Sequence, residues 1–405
     1  LPEKLSCDVV IVGTGAGAGI TAEVLTRAGL DVILLEEGPL KTSSDFNQKE
    51  TEAYTTLYQE SAARANIDNS VTILQGRCVG GTTVVNWTSS FRTPPDTLKY
   101  WQERFGLKDY TVDAMAPWFK QAETRLGVAP WEVPPNPNNE LLRTGSEKLG
   151  IPAHVIPRNV RGCWNIGSCG MGCPTNAKQS MLVTTLPTAL TAGARLYYQT
   201  RAEAFSIKEG KVQHLSCVGI RQNGDKVSDK VLHITAKHYV VSGGAINSPA
   251  LLKRSDVPDP HGLIGKRTFL HLVNFSAAQF EQVINPFYGA PQSTASDHFQ
   301  WKDGATGPMG YKLEVPPIFP GIGAGVLNVY GDDLRKEMAA LPHTNAVLAL
   351  LREPQFALPP GINEAQVLMA SAYMVRTDDT KDLIAKLDAG IAGDVSIGFT
   401  TAGRA

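Results

Sequence analysis

Glycines 13, 15 and 17 and the acid at position 36 have the clearest chemical use in this chain. They stand in Gly13-Thr14-Gly15-Ala16-Gly17-Ala18-Gly19 and in Val32-Ile33-Leu34-Leu35-Glu36-Glu37-Gly38. Gly13 permits a tight turn out of a strand. Gly15 lets the backbone approach a pyrophosphate, and Ala18 keeps the third position of the pattern small so that helix and strand pack closely. A helix opening here, through Ala16 and Gly17, offers unpaired N–H groups and a partial positive charge to phosphates. Glu36 falls 21 residues after Gly15, where a carboxylate can accept hydrogen bonds from a ribose diol. A lone glycine fingerprint is a weak signal; strand, turn, helix, second strand and acid in order predict a dinucleotide site.

A second chemical group is Cys163, Cys169 and Cys173, with five and then three residues between them. Gly167, Gly170 and Gly172 would let such a loop bring the three thiols together, and Cys173 is followed by Pro174 as in bacterial ferredoxin ligand runs. Spacing alone leaves an iron–sulfur site, another metal, or structural thiols open. Zinc lacks an evident fourth ligand nearby. Cys7, Cys78 and Cys217 read as buried small apolar residues.

The elements that must position these groups follow from pattern. Asp8 to Val12 reads as a strand, and Ile20, Val24, Leu25 and Ala28 recur at helical spacing before Gly29 stops the helix. Residues 41–70 are polar and acidic. Tyr100 to Leu126 reads as one amphipathic helix, and Pro130, Pro134, Pro135 and Pro137 mark a connector. Gln179 to Ala192 reads as helix. Arg195 to Gln199, Val231 to Ile234 and His238 to Val241 read as strands. A helix through Arg254 follows Gly243, with Ser248 read as its N-cap and Pro249 as its first residue. Short strands and proline-broken loops fill Phe269 to Leu351. Strand–helix alternation at both ends of residues 1–265 predicts one α/β domain interrupted by insertions.

The 405 residues suffice for a large core and two domains, or one with large insertions. With 19% charged residues and a net charge of −1, nothing favours nucleic acid or an anionic membrane surface. No apolar run of transmembrane length and no secretory signal is present in these residues. The first residue is Leu1, so an N-terminal segment is expected to have been removed or left out.

Three segments together resemble the glucose–methanol–choline (GMC) oxidoreductases, FAD-dependent enzymes that oxidise alcohols. They are the glycine fingerprint through Gly38, Gly76-Arg77-Cys78-Val79-Gly80-Gly81-Thr82-Thr83-Val84-Val85-Asn86, and Gly244-Ala245-Ile246-Asn247-Ser248-Pro249 continuing to Ser255. The family's second signature usually closes on Gly, where Asp256 stands here. The likeness spans about residues 5–352. It implies a Rossmann-like FAD-binding domain assembled from residues 1–86 and 181–268. Residues 87–180 and 269–352 would form a second, mixed-sheet α+β domain on the substrate side, with 353–405 unassigned. The implied FAD contacts are Gly13, Gly15, Ala16, Gly17, Ala18, Glu36 and Glu37 in the fingerprint. Arg77, Gly80, Gly81, Thr82, Thr83 and Asn86 would add to them along the flavin side, with Ala202, Gly244 and Ala245 beyond. The implied reaction takes CH–OH to C=O with hydride transfer to the flavin. The sequence after Cys173 resembles the long-chain alcohol oxidase and dehydrogenase branch, which implies an apolar primary alcohol. The cysteine spacing is similar to that of the 3Fe–4S cluster in FAD sugar dehydrogenases, which would make Cys163, Cys169 and Cys173 iron ligands. The electron acceptor (oxygen, quinone or cytochrome) is undetermined, and the compartment, cytoplasmic or periplasmic and peripheral to a membrane, is open.

The family's catalytic base is a C-terminal histidine, and no match to it is found. The eight histidines are 154, 214, 233, 238, 261, 271, 298 and 343, and none sits in such a motif. Resemblance stops near Glu353, after which Gln366 to Tyr373 and Val395 to Thr401 read as strands and Asp378 to Leu387 as a helix. Three expectations compete: a sequence incomplete or composite in its last fifty residues, a natural truncation, or a flavoprotein without the base. The first is favoured.

Overall fold

The computed structural model describes residues 2–67, 71–266, 273–300, 310–327 and 329–351. The elements expected beyond Glu353, and His271, lie outside the described residues.

The opening strand, β1 (Lys4–Val12), turns Val9 and Ile11 to one face of its sheet and Val10 to the other, and all three are buried. Burial on both faces requires a sheet covered on both sides. Six strands form it, in the order 195–197, 32–35, 4–12, 226–241, 211–220 and 200–208. The first four are parallel, and the last two are antiparallel to their neighbours. On one face α1 (Ala16–Arg27) sets Ala18 and Ala22 against Leu186 and Ala189 of the helix Thr185–Thr191. On the other, Leu251 of the helix Gly244–Arg254 packs with Phe205, Leu215 and Leu232. Chain entering β1 thus has a parallel partner on each side, β2 (Val32–Leu35) and the end of Lys226–Val241. Ligand crevices open at the carboxyl ends of strands at such a point.

A second sheet of five antiparallel strands runs in the order 273–279, 344–351, 311–314, 294–296 and 154–155. Its edge strand His154–Val155 returns from far upstream to pair with Thr294–Ser296. Phe46, Leu57, Tyr58, Cys78, Val84, Met171 and Phe319 form a further apolar cluster that takes in part of the 76–86 loop.

Several elements differ from the sequence reading. Helix α1 buries Ala18, Gly19 and Ala22, while Ile20 and Val24 face solvent at 37% and 60% exposure. The sheet and the 181–185 segment come too close for large side chains: a Cβ at Gly19 would stand 2.5 Å from Thr185 Oγ1. The expected helix 100–126 is two helices, Pro95–Phe105 and Val112–Leu126. Gly106 ends the first with a left-handed φ of 68°, and the Thr111 hydroxyl caps the second by accepting from Ala114 N–H. Of residues 179–192 only Thr185–Thr191 is α-helical. Gln179 and Met181 direct their N–H groups to Asn159 and to the Thr83 hydroxyl instead. The two strands read at 231–241 are one, Lys226–Val241. The helix read as opening at Ser248 begins at Gly244 with Gly243 as N-cap, so Ser248 is not the cap and Pro249 lies inside the helix.

Candidate functional site

The parallel strands Val12, Leu35 and Val241 end at one rim, and a cleft of about 350 Å³ opens there. One wall is the turn from Val12 to Gly17; others come from Leu35 to Glu37, Gln75 and Gly76, Gly81 to Thr83, Thr200 to Ala202, and Val241 to Gly244 with Asn247 and Ser248. Gly13 makes the turn with φ 106°, its N–H donating to Leu35 O at 2.8 Å. A Cβ on it would lie 2.3 Å from Ser242 O. Gly15 is the N-cap of α1, with no side-chain cap and no acid in the first turn, so the helix's leading N–H groups stay open to the cleft. A Cβ on Gly15 would meet only Gly81 Cα, at 4.0 Å. Gly80 and Gly81 both take positive φ, 98° and 57°, which carries the second loop flat against the first.

Thr14 ties these loops together. It is fully buried, its Oγ1 accepts from Gly80 N–H at 2.9 Å, and its hydroxyl donates to Glu36 Oε2. Gly38 N–H donates to Glu36 Oε1 at 2.8 Å. Burial pushes the Glu36 carboxyl up to about 7, against the pull of these two donors. Each carboxylate oxygen keeps a lone pair for a further donor.

Of the sixteen expected FAD contacts, Gly13, Gly15, Ala16, Gly17, Glu36, Glu37, Gly81, Thr82, Thr83, Ala202 and Gly244 line the cleft. Five do not. Ala18 is buried in the helix–sheet core. Gly80 faces Val84 and Leu182 and serves the cleft through its bond to Thr14. Arg77 pairs with Glu37 at 2.9 Å and donates to Gln222 O at 2.8 Å, so it braces the wall from behind. Asn86 gives its carbonyl to Lys178 Nζ at 2.6 Å, and its buried Oδ1 has no hydrogen-bond partner. Ala245 is exposed on the first turn of its helix. The sequence reading missed Thr14 and an amide set, Gln59, Gln75 and Asn247, that lines the cleft. The Arg64 guanidinium holds all three, at 3.3, 2.8 and 3.1 Å. Thr14 sat in plain view between two glycines; the amides have no local signal.

The three expected iron ligands, Cys163, Cys169 and Cys173, share one glycine-rich loop. Among the described residues no three His, Cys, Asp or Glu side chains are grouped to hold a metal. Each thiol takes a separate partner. Cys163 Sγ accepts from Asn165 N–H at 3.4 Å, Cys169 Sγ lies 3.7 Å from an Arg158 nitrogen, and Cys173 Sγ lies 3.4 Å from the Thr175 hydroxyl. A 3₁₀ turn, Ser168–Met171, carries Cys169 between left-handed Gly167 and positive-φ Gly172. Cys78 and Cys217 are buried as expected, and Cys7 is partly so. Glycines of this loop pack tightly: Gly170 rests on the Trp87 ring and Gly172 on Phe46.

Residues 54–273 match the family model described as GMC oxidoreductase. The chain belongs to the GMC oxidoreductase family. An uncharacterized GMC-type oxidoreductase of Mycobacterium tuberculosis (strain ATCC 25618 / H37Rv) is 33% identical over 344 residues, 84% of this chain and 52% of the relative. A long-chain-alcohol oxidase of Arabidopsis thaliana is 30% identical over 413 residues, 99% of this chain and 53% of the relative. This GMC chain therefore spans about half the length of the curated relatives it matches. In fold it is similar to the formate oxidase of Aspergillus oryzae RIB40, with a TM-score of 0.63 at 13% identity, covering 95% of this chain and 82% of that one. Pyridoxine 4-oxidase from Mesorbium loti gives a TM-score of 0.57 at 14% identity, covering 95% and 80%. None of the described histidines lines the cleft of this GMC oxidoreductase. No helix among the described residues is long and apolar enough to cross a membrane.

Proposed function

We propose that this GMC chain binds FAD in the cleft and serves the oxidation of an apolar primary alcohol. One observation carries the reading: three segments distant in sequence, 12–17, 75–83 and 241–248, converge on an open helix N-terminus with a buried carboxylate beside it. The residues fit the group. The Gly15 position leaves space that a side chain would fill, and the first turn of α1 has N–H groups and no acid to repel phosphate. Glu36 would accept from the ribose hydroxyls, while Thr82, Thr83 and the Gln59, Gln75 and Asn247 amides supply further polar contacts. When bound, the flavin supplies the hydride acceptor. No residue of this chain is assigned as the base that takes the hydroxyl proton. The relatives named as long-chain-alcohol oxidases support the apolar alcohol. Anaerobic addition of primary alcohols of rising chain length to the flavin-loaded protein tests it. Bleaching by long-chain alcohols ahead of sugars is expected. Bleaching by sugars alone, or by no alcohol, contradicts it, the latter leaving a flavin-binding protein without turnover.

Cysteine spacing favours a second reading, an FAD sugar dehydrogenase with a 3Fe–4S cluster on Cys163, Cys169 and Cys173. Iron analysis separates the two, since iron-free yellow protein excludes the cluster.

Glu36 makes the proposed binding pH-dependent. Its folded value of about 7 exceeds the ordinary 4.5. In the ligand-free protein its contribution to folding is therefore full below about pH 4.5 and is lost as pH rises through about 7. Ribose hydroxyls donate to the carboxylate and favour the ionised form. Binding then releases a proton below neutrality, so FAD affinity should climb about tenfold between about pH 5.5 and 8 and then level. Glu36→Gln should abolish the climb. Equilibrium titration of both proteins across this range checks it, and a flat wild-type profile contradicts it.

A further inference from the structure

Arg64 does not line the cleft, yet it holds three side chains that do. A guanidinium has five N–H groups in a rigid fork and no acceptor. All five are taken here. Nε and one terminal nitrogen donate to Glu60 Oε1 at 3.0 and 2.8 Å. That same terminal nitrogen donates to Gln59 Oε1 at 3.3 Å. The other donates to Gln75 Oε1 at 2.8 Å and to Asn247 Oδ1 at 3.1 Å. Arg64 has no donor left for a ligand, so it can act on one only through the amides.

What it fixes is their orientation. Because a guanidinium only donates, each carboxamide must turn its oxygen toward Arg64 and its NH2 group away. Gln59 Nε2 then lies 3.5 Å from Glu37 Oε1, on the wall that also carries Glu36. Gln75 Nε2 lies 3.0 Å from the position a Cβ would take on Gly244, another cleft residue. Among the described residues, the NH2 groups of Gln75 and Asn247 have no hydrogen-bond partner. They are donors open to a ligand with acceptors.

The backbone is strained where this cluster is built. Glu60, Ser61 and Ala62 take left-handed φ of 51°, 57° and 65° in succession, and none is glycine. Such a run is costly for L residues and persists where surrounding contacts over-determine it, as at ligand clamps. Here the turn brings Gln59 and Glu60 onto the guanidinium four and five residues on, while Asn247 comes from the helix Gly244–Arg254.

We propose that Arg64 is a positioning residue for the adenine ring of FAD. It presents the NH2 groups of Gln59, Gln75 and Asn247 as donors, and the ring nitrogens of adenine supply the acceptors. Gln59 sets the placement, since it adjoins Glu37, next to the carboxylate read as the ribose partner. The proposal rests on the flavin reading.

The test titrates FAD into the flavin-stripped full chain, followed by flavin fluorescence, with ADP and inorganic pyrophosphate as competitors. Arg64→Met keeps an unbranched stem and removes every donor. It should lose about tenfold in affinity for FAD and for ADP alike, with pyrophosphate unchanged. A general loss of structure would weaken all three. Gln75→Leu should lose about threefold for ADP alone and add little to Arg64→Met, since the two act through one contact. Unchanged ADP affinity in either single variant overturns the proposal, and Gln75→Leu decides by itself if Arg64→Met does not fold. Additive losses in the double variant, or a pyrophosphate loss equal to that of ADP, also overturn it. Wild-type protein that binds neither FAD nor ADP overturns the flavin reading and this proposal together.

Discussion

Replacing Gly13 by alanine is expected to cost about 3–5 kcal/mol of folding stability, among the largest effects a single methyl group can have here. Two independent costs add. The backbone sits at φ 106°, which an L side chain rarely adopts, and the new Cβ would fall 2.3 Å from Ser242 O and 2.8 Å from Ser242 C. Those are backbone atoms of the turn that ends a parallel partner of β1, and Ser242 N–H donates to Val12 O at 2.8 Å. No side chain can rotate aside. Relief requires β1 and the strand Lys226–Val241 to part at the rim where the cleft opens. Denaturant unfolding of the purified variant measures the loss, and a midpoint within experimental error of wild type would show that the turn is not built this way.

Gly15→Ala should behave in the opposite manner, losing about a hundredfold in FAD affinity, roughly 2.7 kcal/mol, with little effect on folding. Gly15 has an ordinary φ of −71°, and the added methyl would meet only Gly81 Cα at 4.0 Å. Stability should fall by about 1 kcal/mol or less, the difference between glycine and alanine at an N-cap. The methyl would instead stand where the pyrophosphate must approach the first turn of α1. Equilibrium titration together with thermal unfolding separates the two effects. Equal affinity in the variant would move the phosphates away from this helix.

The two glycines lie two residues apart in one fingerprint, and the sequence alone pointed to both. It also pointed to Glu36, because strand, turn, helix and strand occur in an order whose geometry is local. What escaped was long-range. Thr14 bonds to Gly80 across 66 residues and so fixes the distance between two loops that look independent. Arg64 gathers Gln59, Gln75 and Asn247, the last 183 residues away. Polar residues with no periodicity carry no advance notice of such partners. Helix α1 was recognised but its buried face was misjudged. Periodicity selects the largest apolar residues, whereas close packing on a parallel sheet selected Ala18, Gly19 and Ala22. The cysteine spacing leaves several uses open, and in the structure each thiol takes a different partner. Lys178, which the sequence presents as an ordinary lysine, closes the loop onto the 84–86 segment.

One measurement addresses the central claim most directly: titration of FAD into the flavin-stripped chain, followed by flavin fluorescence, with ADP as competitor. Saturation at one FAD per chain, with ADP competing for the same site, is the result this account predicts. No saturable binding, or saturable binding that ADP leaves untouched, would contradict a cleft that holds the dinucleotide by its adenosine diphosphate half.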